Sequence, residues 1–129
     1  MKIIADTNIF LAVALNENSK ARIINLTKGC DVYAPEILLY EVGNALSAMV
    51  KRRQIGVTNA HNAYSAVRRI PVSLMKIDIS LALSIAIQQK IDVYEACFLQ
   101  LALSTSRPFI TLDNRLKTVA LGMNIELME

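Results

Sequence analysis

Lys2-Ile3-Ile4-Ala5-Asp6-Thr7-Asn8, running on into Ile9-Phe10-Leu11-Ala12-Val13-Ala14-Leu15, is the stretch that decides the fold. Lys2 to Ala5 is too short for a helix. Its apolar residues do not alternate with polar ones, so it reads as a strand buried on both faces. Asp6-Thr7-Asn8 are residue types that start helices, and the apolar segment from Asn8 to Leu15 reads as one. A buried strand feeding straight into a helix is the opening of an α/β unit with a parallel sheet.

The same alternation continues along the chain. Cys30 to Ala34, Val72 to Lys76, Phe109 to Thr111 and Asn124 to Leu127 are further short apolar runs, giving five expected strands. Between them lie segments of helical period. One follows Ser19 and stops at Gly29, a good residue for a helix end. A long one runs from Pro35, favoured in a first turn, to Arg53. Others are capped by Thr58, Asp78 and Asp92, and another runs from Leu112 to Leu121. The expectation is one α/β domain over residues 1–129, with helices on both faces of a five-stranded parallel sheet.

Composition supports this and excludes other classes. The 129 residues are 53% hydrophobic and 19% charged, too apolar for a disordered chain. The longest uninterrupted apolar run, Ile9 to Leu15, is seven residues, far short of the roughly 20 a membrane helix needs. Asp6 and Asn8 interrupt what would be the apolar part of a leader peptide, so the expectation is a cytoplasmic protein. Cys30 and Cys97 share no metal or redox spacing and read as small hydrophobes. His61 stands in a polar helical stretch and reads as solvated.

In parallel sheets, ligands bind at the carboxyl ends of strands. There the sequence offers Asp6-Thr7-Asn8 and Thr111-Leu112-Asp113, a hydroxyl and a carboxylate from each of two strands. Helix capping is the plain alternative for either Asp. Two glutamates join them. Glu41 shares a helical arc with Ile37, Leu38, Ala45, Ala48 and Met49. Glu95 shares one with Phe98, Leu99, Ala102 and Leu103. A carboxylate on a core-facing arc needs a cation, a network or a metal. For Glu95 there is also Asp92-x-x-Glu95, the spacing of a capping box. Four carboxylates with no His or Cys form an oxygen-only set, which suits Mg²⁺ or Mn²⁺ and not structural zinc.

The segments Ile4-Ala5-Asp6-Thr7-Asn8, Pro35 to Val42 with Asn44, Tyr94-Glu95-Ala96 with Leu99 and Leu101-Ala102, and Thr111-Leu112-Asp113 with Arg115-Leu116 occur in that order. Together they resemble the PIN-domain ribonucleases, above all the VapC-like toxins of toxin–antitoxin pairs. The resemblance spans essentially the whole chain. It implies a three-layer sandwich with strand order 3-2-1-4-5, which sets the strands ending in Asp6 and Asp113 side by side. It implies that Asp6, Glu41, Glu95 and Asp113 hold one or two Mg²⁺ or Mn²⁺ ions, and that Thr7, Asn8 and Thr111 orient those carboxylates. It also implies hydrolysis of RNA to 3′-hydroxyl and 5′-phosphate ends, a homodimer, and a cognate antitoxin over the groove. The family's third acid is usually Asp. Here it is Glu95, one methylene longer, with Asp92 one turn away as a substitute.

Arg115, two residues past Asp113, is the expected substrate contact. Lys51-Arg52-Arg53 and Arg68-Arg69 read as solvated helix ends. With four of the eleven acids assigned to the site, seven remain against fourteen Lys and Arg, so the net +3 divides into a −4 pocket in a +7 body. A phosphoacceptor receiver domain is discounted, because Asp6 lacks an acidic neighbour and no Lys follows a late strand. The alternative that stands is a PIN-like module that binds RNA or protein without cutting.

Overall fold

The computed structural model describes residues 1–129. β1 (Lys2–Ala5), β2 (Asp31–Pro35), β3 (Ser73–Met75) and β4 (Phe109–Ile110) form one parallel sheet in the order β3-β2-β1-β4. Ile3, Ile4 and Ala5 are all buried, as a strand covered on both faces must be. The helices are α1 (Thr7–Ala14), α2 (Lys20–Thr27), α3 (Leu38–Lys51), α4 (Val57–Arg68), α5 (Ile79–Gln89), α6 (Val93–Thr105) and α7 (Asn114–Gly122).

Several sequence expectations are corrected. The sheet has four strands, not five. Asn124 to Leu127 makes a single parallel bridge, Leu127 to Phe109, through bonds from Phe109 N to the Glu126 carbonyl (2.8 Å) and from Met128 N to the Phe109 carbonyl (2.9 Å). β4 is only two residues long, so there is little edge along which a fifth strand can pair. Pro35 closes β2 opposite Met75 and does not open α3. The helix starts three residues later, after the Glu36 N–H has bonded to the Met75 carbonyl. α4 is capped by Gly56, not Thr58, and has no side-chain cap bond.

α6 lies against β1 and β2 and is flanked by α5. Seven consecutive α6 residues, Ala96 to Ala102, are buried, so this helix is enclosed rather than one-faced. The expected stripe fails at its far end, since Leu103 is exposed. On α3 the buried residues are Leu38, Val42 and Leu46. The buried hydrophobics of all these elements form one continuous core.

Register positions the site. Ala5 pairs with Ile110, and the Asp6 N–H donates to the Ile110 carbonyl at 3.0 Å. The next residues along these strands, Asp6 and Thr111, therefore emerge side by side at the carboxyl end of the sheet.

Candidate active site

Asp6 is both a helix cap and the centre of a polar cluster. Its Oδ1 accepts from the Thr7 N–H at 2.8 Å, capping α1. Its Oδ2 accepts from Thr111 Oγ1 at 2.7 Å and from Asn8 Nδ2 at 3.2 Å. Thr111 Oγ1 also accepts from the Asp113 N–H (3.1 Å) and from Asn8 Nδ2 (3.3 Å), while Asn8 Oδ1 accepts from the Leu112 N–H (3.1 Å). One hydroxyl thus ties together the two strand ends. Of the three expected orienting residues, Thr111 and Asn8 bond through their side chains and Thr7 through its backbone. Thr7 Oγ1 is buried with no partner.

The other acids approach from three helices. Asp113 caps α7, its Oδ1 accepting from the Arg115 and Leu116 N–H groups at 2.9 and 3.2 Å. Glu95 completes the capping box with Asp92 at the start of α6. Both of its oxygens also accept from Arg115 Nη2, at 2.9 and 3.0 Å. Arg115, the expected substrate contact, is therefore paired within the chain, although its side chain is 60% exposed against 20% for Glu95. Glu41, in the first turn of α3, is half-buried and bonded to no donor. It sits beside the buried Leu38–Val42–Leu46 face rather than at its middle.

The electrostatics join these groups. Burial raises the Asp6 carboxyl from 3.8 to about 6; bonds from Thr111 and Thr7 pull it down, and the charges of Asp113 and Glu95 push it up. Glu41 is also raised, first by burial and then by Asp92, Asp6 and Glu95. The Cys97 thiol is raised by burial and by the charges of Glu41 and Asp92. Asp92 thus adds to the negative field at Glu41 alongside Asp6 and Glu95.

The donor set fits a hard divalent cation. All its ligand atoms are oxygen, the Asp6 carboxylate is 9% exposed with no cationic side chain against it, and Glu41 lacks any partner. As they stand, no three acids are gathered into a metal site; Glu95 is bonded to Arg115, and Asp113 caps α7 through Oδ1. The largest apolar groove is elsewhere, between α3 and α4, where Leu46, Val50, Val57 and Tyr64 line it and none of the four acids contributes.

The raised Asp6 carboxyl predicts how stability depends on pH. Its folded value, about 6, exceeds the unfolded 3.8, so between these values the folded state binds the extra proton. The stabilisation is full below 3.8 and is lost as pH rises through 6. With a chelator present, chemical denaturation should show this component falling by roughly 3 kcal/mol between about pH 4 and pH 8. Asp6→Asn should lack it. Equal pH profiles for the two proteins would contradict the burial argument.

Residues 3–121 match the family model described as the PIN domain. Among solved structures, PAE2754 from Pyrobaculum aerophilum superposes with a TM-score of 0.67 at 20% identity, covering 92% of this chain and 87% of that one. VapBC2 from Rickettsia felis, solved bound to a DNA fragment from its promoter, gives a TM-score of 0.65 at 16% identity, covering 98% and 97%. No curated protein matches. At these identities the structures speak for the fold alone. The family match spans nearly the whole chain, including Asp6, Glu41, Glu95 and Asp113, and on that ground the chain belongs to the PIN domain family.

Proposed function

We propose that this chain is a metal-dependent ribonuclease that hydrolyses RNA phosphodiester bonds, and that it is the toxin of a VapBC-type toxin–antitoxin pair. The observation that carries the reading is the buried Asp6 carboxylate, held by Thr111 and Asn8 at the carboxyl end of the central strands, in a chain of the PIN domain family.

In this reading Asp6, Glu41, Glu95 and Asp113 hold Mg²⁺ or Mn²⁺. A cation bound there supplies water activation and neutralises charge on the phosphate. The chain's own residues do the rest. Thr111 and Asn8 fix the Asp6 carboxylate by bonding one of its oxygens, and the Thr7 backbone fixes the other. Arg115 binds Glu95 through Nη2 alone, which leaves the other donors of an exposed guanidinium free for a phosphate oxygen. The +7 carried by the rest of the molecule favours the approach of a polyanion to the protein.

The test is incubation of single-stranded RNA with the purified protein in Mg²⁺, in Mn²⁺ and with a chelator. Cleavage to 5′-phosphate ends in either metal, abolished by the chelator, is the expected result. Intact RNA in both metals overturns the reading. The Glu95–Arg115 pair favours one second reading, a PIN module whose site does not cut. Calorimetry separates the two, because a working cation site binds Mn²⁺ with wild-type acids and loses it in Asp6→Asn.

The partners in this reading are an antitoxin and a second copy of the chain. The structural likeness to VapBC2, with the sequence resemblance to VapC-like toxins, supports the first. Ile79, Leu83 and Ile87 support the second, as an exposed aliphatic stripe along α5. No helix is long and apolar enough to cross a membrane, and we place the protein, as a single domain over residues 1–129, in the cytoplasm with its RNA substrate.

A further inference from the structure

The chain has four tyrosines and no tryptophan, and the tyrosines divide into two kinds. Tyr33 is half-buried with the Arg107 guanidinium 4.1 Å and the Lys2 ammonium 5.9 Å from its ring centre. Tyr64 packs against the core edge, with Arg68 6.0 Å from its ring. Tyr40 and Tyr94 have no such partners. They are 81% and 52% exposed, and no other Tyr or Phe of the chain is exposed.

Neither ring belongs to the buried core. An exposed tyrosine buries little apolar surface, and in a helix it is a poorer residue than the Ala, Leu, Lys or Glu that usually fill surface positions. Their placement points elsewhere. Tyr40 immediately precedes Glu41 in the first turn of α3, and Tyr94 immediately precedes Glu95 in the first turn of α6. α3 follows β2, and α6 lies on β1 and β2 and returns to the start of β4. Both helices therefore begin at the carboxyl end of the sheet, where Asp6 emerges. Glu41 accordingly feels the charges of Asp92, Asp6 and Glu95. Two uncommitted aromatic faces thus stand on two neighbouring helix starts, each one residue from a carboxylate of the site.

We propose that Tyr40 and Tyr94 are base-stacking positions for single-stranded RNA, holding nucleobases on either side of the carboxylates while Arg115 and the basic body engage the phosphates. Stacking on tyrosine suits unpaired bases because every base presents a π-face. Both exposed tyrosines stand next to an acid of the site. The inference rests on the ribonuclease reading above.

The test uses a short single-stranded oligoribonucleotide with a chelator, so that binding is read without cleavage. With no tryptophan in the chain, intrinsic emission reports the tyrosines directly. The base-bearing oligomer should quench it, and an abasic oligomer of equal length should not. Tyr40→Ala and Tyr94→Ala should each weaken binding between about 5-fold and about 100-fold. The salt dependence should stay unchanged, because no phosphate contact is lost. Tyr→Phe at either position should retain binding, which separates stacking from a hydroxyl contact. In the metal-loaded protein the alanine variants should raise KM more than they lower kcat. Wild-type affinity in the double alanine variant overturns the proposal; if RNA is still cleaved in Mg²⁺ or Mn²⁺, the ribonuclease reading survives. A wild-type protein that neither binds nor cleaves RNA overturns both.

Discussion

Asp6→Asn is expected to lower metal-dependent RNA cleavage by about a thousandfold while making the metal-free protein more stable. The substitution keeps the shape of the side chain and the Oδ1 that caps α1. It removes the charge. That charge is the best-anchored of the four, since Thr111, Asn8 and Thr7 all bond it. It is also the most buried of the four. A preorganised charge in a site that excludes water is where electrostatic catalysis has its largest leverage. The same burial makes the carboxylate costly for the empty protein, as its rise to about 6 records. Above about pH 7 with a chelator, Asn should therefore stabilise by roughly 1 to 3 kcal/mol. The gain is less than full because the new amide N–H₂ would face another donor, Asn8 Nδ2. Opposite signs in activity and stability are the signature of a functional charge. A variant that loses both would mark Asp6 as a structural cap. Full activity in Asp6→Asn would remove it from the chemistry.

The adjacency of Asp6 and Thr111 was legible because both follow short apolar runs, and the Ala5–Ile110 register realises it. The capping alternatives for Asp6, Asp113 and Glu95 were legible too, and the structure contains all three caps. For Asp6, capping occupies one carboxylate oxygen and leaves the other to Thr111 and Asn8, so cap and site residue are compatible roles. What the sequence hid was the long-range pairing. Nothing local in Glu95 or Arg115 shows that residues twenty apart will lock into an ion pair, and that pair decides how the third acid is held. Glu41 was misjudged by one step around its helix. Leu39, Val42, Leu46 and Val50 give α3 a second apolar side beside the Glu41 arc, so the wheel could not say which side meets the core, and the core took Leu38, Val42 and Leu46. The fifth strand failed for a related reason. Asn124 to Leu127 has the right residue types, but pairing depends on the length of its neighbour, and β4 supplies only Phe109 for it.

Thr111→Val should carry the second largest effect, through a hydroxyl whose bonds are to Asp6, Asp113 and Asn8. Valine matches threonine in shape, so the core around β4 is preserved and only the hydroxyl is lost. That hydroxyl donates to Asp6 Oδ2 and accepts from the Asp113 N–H and Asn8 Nδ2. Without it the Asp113 N–H has no partner and the Asp6 carboxylate keeps a single side-chain donor, Asn8. Leaving a polar group unsatisfied costs about 1 to 3 kcal/mol when it is buried and less for the half-buried Asp113 N–H, so Thr111→Val should be destabilised where Asp6→Asn is stabilised. The Thr111 bond pulls the Asp6 carboxyl down; its loss should move the carboxyl further above its ordinary value and shift the acid limb of the cleavage profile to higher pH. Removing a residue that orients a metal-holding carboxylate typically costs about 10- to 100-fold in affinity or rate. Because Thr111 acts through Asp6, the two losses should not add. In a double-mutant cycle, Thr111→Val on top of Asp6→Asn should change cleavage by less than about threefold, whereas independent contributions would multiply. Additive losses would show that Thr111 serves the reaction by another route, through the Asp113 backbone at the start of α7.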